Sequence, residues 1–218
     1  MAVANEKLTF LTQFVRQPMS VGAVAPSSAA LANKITAPVP RTGDPVVVEL
    51  GPGTGAFTGE IQRRLGGRGH QLAIEINSDF AGALSRRYPA VEVISDDARK
   101  LRELLAARGH SQADVIVSGL PWAAFSSDLQ HNLLDAVADG LADDGAFTTF
   151  AYLFAIWTPP AQRLRTALRA RFEEVTMGRT VWANLPPALV YHCRRPIRTD
   201  AYGSDRSPLR VGTADSLD

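Results

Sequence analysis

The chain has one cysteine, no long apolar run and no strongly basic domain, and each shortage excludes a class of protein. Cys193 alone cannot form an internal disulfide or supply a cysteine-rich zinc site, and it fits a reducing compartment. No segment approaches the roughly eighteen apolar residues of a membrane-spanning helix, and the N-terminus lacks the apolar core of a secretory signal. We therefore expect a cytoplasmic globular protein without a metal site.

The net charge of +1 conceals an uneven distribution of charge. Residues 44–162 carry nine basic groups against fifteen acids, whereas residues 163–218 carry ten against six. Residues 1–43 carry four basic groups and one acid. Either this is ordinary surface charge, or the terminal segments face an anionic partner such as a lipid headgroup, a phosphate or a nucleic acid.

The most informative segment is an apolar run that passes through an acid into a glycine-rich turn, Val46 to Gly55, with the sequence VVVELGPGTG. The β-branched run predicts a buried parallel strand. The glycines allow backbone to approach a ligand at the carboxyl end of that strand, where α/β sheets bind nucleotides. Glycine turns are common, so this segment alone is weak evidence.

Three further apolar runs end in polar residues at a similar spacing. The strand-end residues Glu49, Glu75, Asp97 and Ser118 lie 26, 22 and 21 residues apart. One strand, one helix and two loops occupy about that length. The spacing therefore predicts parallel strands that end at one edge of a sheet, where Glu75 can accept hydrogen bonds from both ribose hydroxyls of a nucleoside. The alternative is that these acids only cap helices or lie in solvent.

Alternating strands and helices are predicted from residue 44 to about residue 158, followed by a helix and a closing antiparallel pair. The fifth strand is expected at Ala146–Tyr152, after an Asp-Gly turn, and His70 is expected in a glycine-rich turn. The predicted helices are Asn5–Gln17, one capped by Ser27 or Ser28 that runs to about Lys34, Thr58–Leu65, Asp79–Tyr88, Asp128–Leu141 and Pro159–Arg171. The closing strands are expected at Glu174–Val181 and Leu189–Cys193.

The pattern E-x-G-x-G-x-G, with the acid before the loop, resembles the first motif of the class I S-adenosylmethionine-dependent methyltransferases. The resemblance implies S-adenosyl-L-methionine as cofactor and a doubly wound, seven-stranded Rossmann-like α/β sheet of strand order 3-2-1-4-5-7-6. Asp97 aligns with the aspartate that bonds the adenine amino group in that family. The expected cofactor-binding residues are Glu49, Gly51, Gly53, Gly55, Glu75, Ile76, Asp97, Ala98 and Ser118.

Other segments resemble one branch of that class, the bacterial phospholipid N-methyltransferases. They are residues 10–18, residues 21–28, Ser118-Gly119-Leu120-Pro121, and residues 182–191. Those enzymes methylate phosphatidylethanolamine toward phosphatidylcholine, and their N-terminal amphipathic helix contacts anionic membranes. The branch is distantly similar to rRNA adenine dimethyltransferases, whose fourth motif is Asn-Leu-Pro-Tyr or close to it. The resemblance divides the chain into an N-terminal helical lid segment (1–43), a class I methyltransferase domain (44–197) and a flexible tail (198–218).

The acceptor pocket is expected beside the strand ends, where aromatic faces can hold a cationic or methylated amine. Its expected lining residues are Leu120, Pro121, Trp122, Tyr152, Trp182 and Tyr191. No catalytic residue is assigned, because an amine that arrives neutral needs no dedicated base. Tyr191 could orient an acceptor or serve as a core tyrosine, and each of the candidate bases His110, His131 and His192 is more often structural.

The leading function is methyl transfer to a lipid headgroup amine or small-molecule acceptor, with weak peripheral contact with an anionic membrane. The alternatives are a soluble phosphorylated or isoprenoid acceptor, an RNA adenine methyltransferase, and a cofactor-binding module without catalysis. Ser118 stands where the RNA enzymes have Asn, and no basic domain is added, so we expect no nucleic-acid partner. The acceptor and the oligomeric state are open.

Overall fold

Seven strands form one sheet in the computed structural model, which describes residues 27–198. They are β1 Val46–Leu50, β2 His70–Ile74, β3 Glu92–Ile94, β4 Ala113–Ser118, β5 Leu141–Tyr152, β6 Phe172–Met177 and β7 Ala188–Pro196. Their order across the sheet is β3-β2-β1-β4-β5-β7-β6. The first five strands are parallel, and β7 runs antiparallel to β5 and β6. The predicted fold class and strand order are confirmed.

Helices connect the strands and cover the sheet. They are α1 Ala29–Ile35, α2 Thr58–Leu65, α3 Ser78–Arg87, α4 Leu101–Ala106, α5 Ser127–Gly140 and α6 Pro159–Arg169, with 3₁₀ turns at Ala98–Lys100, Trp122–Ala124 and Leu153–Ala155. The predicted helices within the described residues agree with these bounds to within about two residues. The Ser28 hydroxyl caps α1 by accepting a hydrogen bond from the Leu31 N–H, 3.2 Å away. The predicted helix Asn5–Gln17 and most of the predicted tail lie outside the described residues.

The sheet is buried on both faces, as the continuous apolar runs of its central strands require. Val48 and Leu50 of β1 point into a core that also contains Phe147. Val47, between them, points to the other face and packs in a second core with Ile35 of α1. These two faces carry the helices, so only the ends of the strands open to ligands. None of the helices within residues 27–198 combines the length and the apolar character needed to cross a bilayer.

Three sequence expectations require correction. His70 is the first residue of β2, paired with Val46, and does not lie in the preceding glycine turn. β5 begins at Leu141, five residues before its predicted start, and the pairing of β4 with β5 shifts register between Ala113 and Val115. The predicted closing strand Glu174–Val181 is β6, which ends at Met177. Beyond Met177 the regular pairing with β7 is interrupted, and Val181 forms only an isolated antiparallel bridge with Ala188.

Candidate active site

The carboxyl ends of four parallel strands lie side by side at one edge of the sheet. Leu50 pairs with both Ile74 and Ser118, and Ile74 pairs with Ile94. Backbone bonds continue this register past the strands: the Gly51 N–H donates to Ile74 O at 3.0 Å, and the Glu75 N–H donates to Ile94 O at 2.9 Å. The polar strand-end residues therefore meet at one place, as their spacing in the sequence predicts.

The glycine turn after β1 packs directly against the turn after β4. Gly51 has a φ of +64°, and a Cβ added there would lie 2.6 Å from Leu120 Cδ2. A side chain at position 51 would therefore be strained and would displace Leu120. The turn is closed by a bond from the Gly55 N–H to Pro52 O at 2.9 Å. The first and fourth motifs thus form one continuous wall of the site.

Glu75 holds the glycine turn from the neighbouring strand. Its carboxylate accepts bonds from the Gly53 N–H at 3.0 Å and from the Asn77 N–H at 2.9 Å. A carboxylate has about four acceptor positions, so two remain for a ligand. A Cβ added to Gly53 would meet nothing within 4 Å, which shows open space above the turn. Burial raises the pKa of Glu75, and the backbone N–H groups of Asn77, Gly53 and Ile76 oppose that rise.

Glu49, at the end of β1, is fully buried beneath the turn. One carboxylate oxygen accepts a bond from the Thr58 hydroxyl at 2.7 Å, and Oε1 has no partner within the described residues. Burial raises the Glu49 pKa to about 8; the Thr58 bond lowers it, and the charge of nearby Glu75 raises it further. A buried acceptor without a partner is costly, so Oε1 is a place where a cationic donor would be favoured.

Ile76, Asp97 and Ala98 continue the site toward β3. Ile76 follows Glu75 directly and is an exposed large apolar residue, 36% accessible, which offers a flat apolar surface beside the carboxylate. Asp97 caps the 3₁₀ turn that begins at Ala98, through a 2.9 Å bond to the Arg99 N–H. Burial acts to raise the pKa of Asp97, but its bonds and ion pair with Arg99 outweigh this and lower it. Asp97 is therefore ionised and already oriented.

Ser118 and Trp122 bond to each other. The Ser118 hydroxyl, fully buried at the end of β4, accepts the Trp122 indole N–H at 3.1 Å. Trp122 is only 2% accessible and packs edge-on against Phe125 and Phe147. We expected Trp122 to line the acceptor pocket, but its side chain lies in the core because the indole N–H finds its partner there. The Ser118 hydroxyl also accepts from the Leu120 N–H at 3.3 Å, so both of its observed bonds are to its own turn.

The other expected acceptor residues fall into three groups. Leu120 and Pro121 are half-buried between the two turns, and Tyr152 is half-buried at the end of β5. Trp182 is exposed on the loop between β6 and β7. Tyr191 is 2% accessible in the core, which gives it the packing role that was the alternative to orienting an acceptor. Leu120, Pro121 and Tyr152 are thus the expected residues nearest the opening.

The histidines lie away from the strand ends. His70 and His110 contact each other, with ring centroids 4.6 Å apart, at the opposite edge of the sheet, where β2 and β4 begin. His131 is exposed on α5, and His192 pairs with Thr148 in the interior of the sheet. None of these positions suits a base for an acceptor at the carboxyl ends.

Asn184 has a role that the sequence did not reveal. Its side-chain oxygen accepts a bond from the Ser28 N–H at 2.8 Å, and its amide donates to Pro186 O at 2.7 Å. It is 3% accessible, and Ser28 lies 156 residues away in the chain. The resemblance of residues 182–191 to the phospholipid enzymes marked the segment, but no local pattern predicts this partner. Asn184 anchors the start of α1 to the edge of the site.

Replacing Asn184 by alanine should lower the free energy of unfolding by about 1–3 kcal/mol, because two partly buried backbone groups, the Ser28 N–H and Pro186 O, would lose their partner. Urea unfolding monitored by circular dichroism would measure the change. Asn33→Ala is the matched control, because Asn33 is exposed on α1 and its side chain makes a long 3.5 Å bond to Glu60. It should change stability by less than about 0.5 kcal/mol. Equal effects of the two substitutions would contradict the anchoring role.

Comparison with known proteins places this geometry in a family. No protein-family model matches the chain. The chain is 35% identical over 188 residues to the ornithine lipid N-methyltransferase of Singulisphaera acidiphila, an alignment that covers 85% of this chain and 94% of the relative. The chain belongs to that methyltransferase family. It is therefore an S-adenosylmethionine-dependent methyltransferase, and the predictions of enzyme class and cofactor are confirmed.

More distant similarities agree with the fold. A ribosomal RNA small subunit methyltransferase A from a Burkholderia species is 38% identical over 100 residues, which cover 45% of this chain and only 35% of that protein. A SAM-dependent O-methyltransferase from Thermotoga maritima superposes with a TM-score of 0.60 at 14% identity, over 85% of this chain and 72% of that one. The N-methyltransferase NodS from Bradyrhizobium japonicum, in complex with S-adenosyl-L-homocysteine, superposes with a TM-score of 0.57 at 14% identity, over 77% of this chain and 86% of that one.

Proposed function

We propose that this methyltransferase transfers a methyl group to an amine nitrogen of a lipid headgroup. The observation that carries the proposal is the similarity to an ornithine lipid N-methyltransferase, which extends over 94% of that protein's length. Almost the whole length of that relative is therefore included in the similarity. By contrast, the match to the ribosomal RNA methyltransferase leaves about two thirds of that protein outside the alignment.

The strand-end residues fit the cofactor in separate places. Glu75 has two acceptor positions free for the ribose hydroxyls, next to the open space above Gly53. We assign the adenine to the surface formed by Ile76, Asp97 and Ala98, with the Asp97 carboxylate accepting from the adenine amino group. The unpartnered Oε1 of Glu49 suits the ammonium of the methionyl portion. This leaves the reactive end of the cofactor near the Gly51 turn.

The chain's own contribution to the reaction is alignment and exclusion of water. The cofactor supplies an activated methyl group on a sulfonium, so no covalent intermediate with the protein is needed. Leu120 forms the wall against Gly51 and, with the adjacent Pro121, would position the acceptor nitrogen behind that methyl group. Tyr152, half-buried at the end of β5, would line the entrance.

The geometry of Ser118 favours an aliphatic amine over a nucleic-acid base. In the rRNA enzymes that the sequence distantly resembles, the fourth motif begins with an asparagine at this position. Here the Ser118 hydroxyl accepts the Trp122 indole N–H inside the core, so it does not project toward an acceptor. The chain therefore offers no asparagine side chain at this position for a planar base to bond, and the acceptor that we propose is an aliphatic amine that reaches the methyl group in its neutral form.

Incubation with methyl-labelled cofactor and candidate acceptors would test the proposal by mass spectrometry. The candidates are vesicles containing amine-bearing lipids, the same headgroups without acyl chains, and ribosomal RNA. We expect label in a lipid and little in the free headgroup or the RNA. Label in the free headgroup but in no lipid would overturn the proposal in favour of a soluble acceptor. The Glu75→Ala variant is the control for transfer that depends on the cofactor site.

A further inference from the structure

Two neighbouring loops at the carboxyl edge of the sheet carry four exposed large apolar side chains. Phe154 and Trp157 follow β5 and are 65% and 76% accessible; Trp182 and Leu185 precede β7 and are 72% and 70% accessible. We call these four residues the apolar rim. Exposed apolar groups that are clustered, unlike ones that are scattered, mark an interaction surface.

The loops of the apolar rim are held together and held at the site. The Leu153 N–H donates to Pro187 O at 2.8 Å, and Tyr152 pairs with Ala188, so the end of β5 is joined to the start of β7. Phe154 stacks on Tyr152 with ring centroids 5.8 Å apart and planes 8° from parallel. Strand β5 is the neighbour of β4, whose end forms a wall of the cofactor site. The rim therefore borders the side from which an acceptor would enter.

The charges around the apolar rim favour a lipid surface. Residues 153–160 contain no charged side chain, and residues 177–187 contain one, Arg179, which is exposed. Neither segment contains an acid, although the whole chain has 22 acids against 23 basic residues. An acid-free apolar loop pair with one cation avoids repulsion from anionic headgroups. Two of its four apolar residues are tryptophan, which is enriched at membrane–water interfaces.

We infer that the apolar rim inserts into the interfacial layer of a bilayer and turns the active-site opening toward the headgroups. The choice of a bilayer over a protein partner rests on the proposed lipid acceptor, because a headgroup amine lies in the plane of the membrane. The contact itself needs no acceptor. The contribution of the rim is burial of apolar area, so it differs from charge attraction by the N-terminal segment, which salt would screen.

Vesicles without amine lipids separate this contact from acceptor binding. The full-length protein would be mixed with phosphatidylcholine–phosphatidylglycerol vesicles at high salt and sedimented. A double variant with Trp157→Ser and Trp182→Ser should partition onto vesicles roughly ten-fold less or weaker still, since each substitution removes a large apolar side chain from the contact. Ile197→Ser is the matched control, because Ile197 is 44% accessible just beyond the other end of β7. It should partition like the wild type.

Tryptophan fluorescence gives a second readout that needs no variant. Trp122 is 2% accessible in the core, so a blue shift on adding vesicles, and quenching by brominated lipids, would report Trp157 and Trp182. Folding of each variant would be verified by its binding of S-adenosyl-L-homocysteine. The inference is overturned if the double variant partitions like the wild type, or if it instead loses a concentration-dependent self-association seen by sedimentation velocity. Rim-dependent partitioning without lipid methylation would contradict the proposed function and leave the rim contact intact.

Discussion

Glu75→Ala should weaken binding of S-adenosylmethionine and S-adenosylhomocysteine by roughly ten-fold or more. A carboxylate that accepts from both ribose hydroxyls contributes about 1.5–3 kcal/mol through charge-assisted bonds. The substitution also frees the Gly53 N–H, which the carboxylate now holds at 3.0 Å, so the glycine turn would lose its support from β2. Both the lost ribose bonds and the loosened turn should weaken cofactor binding. Titration calorimetry of the purified variant would measure the affinity.

Two further variants separate these consequences. Glu75→Gln retains one acceptor oxygen of similar reach and loses the charge, so its affinity should fall between those of the wild type and Glu75→Ala. Glu92→Ala removes an exposed acid at the amino end of β3 that pairs with Arg108. It should bind the cofactor like the wild type. Unchanged affinity in a folded Glu75→Ala protein would refute the ribose assignment.

The candidate cofactor-binding residues could be predicted from the sequence because the patterns that indicate them are local. Each strand places a polar residue directly after an apolar run, and parallel register brings those residues together without any further information. Glu49 and Glu75 could be located in this way, and the structure brings them close enough for the charge of Glu75 to act on Glu49. The strand order came from the family resemblance, and spacing alone did not contain it.

The acceptor-binding residues were harder to predict because an aromatic side chain in or after a strand can point to the core or to a pocket. Trp122 and Tyr191 both turn into the core, and the sequence around each is equally compatible with a pocket. What decides the orientation is tertiary: Phe147 packs against the Trp122 ring, and the Ser118 hydroxyl accepts its N–H. Trp182, by contrast, is 72% accessible. Such partners are distant or depend on the direction of a turn, so local patterns do not reveal them.

The start of β5 is irregular, and a distant contact holds it. Leu141 pairs with Ala113, and continuous pairing with β4 starts at Ala146, the predicted first residue of the strand, so the turn-forming residues Asp143-Asp144-Gly145 lie in the irregularity between them. The Arg198 guanidinium donates to Leu141 O and to the Asp143 carboxylate. Arg198 lies more than fifty positions away in the chain. The sequence therefore predicts the turn, but it does not predict the contact that holds it.

The free energy of unfolding of the cofactor-free protein should contain a term from Glu49 that falls as pH rises from about 4.5 to about 8. Burial raises the Glu49 pKa from an ordinary 4.5 to about 8, so the folded protein binds this proton more tightly than the unfolded chain does. Stability therefore decreases with pH through that window, by about 3–5 kcal/mol for a shift of this size. The raised pKa of Glu75 acts in the same sense, and the lowered values of Glu60, Asp96 and Asp97 act oppositely.

Glu49→Gln isolates the term, because glutamine imitates the protonated acid at every pH. The variant should match the wild type near pH 4 and below, where Glu49 is protonated in both the folded and the unfolded protein, and should be more stable by a few kcal/mol above about pH 8. Urea unfolding of both proteins across this range would measure the difference, with Glu92→Gln as the exposed control. The same variant should bind the cofactor more weakly, since the ionised carboxylate is the partner that we assign to the ammonium group. A difference in stability that does not change with pH would show that Glu49 keeps an ordinary pKa in the folded protein.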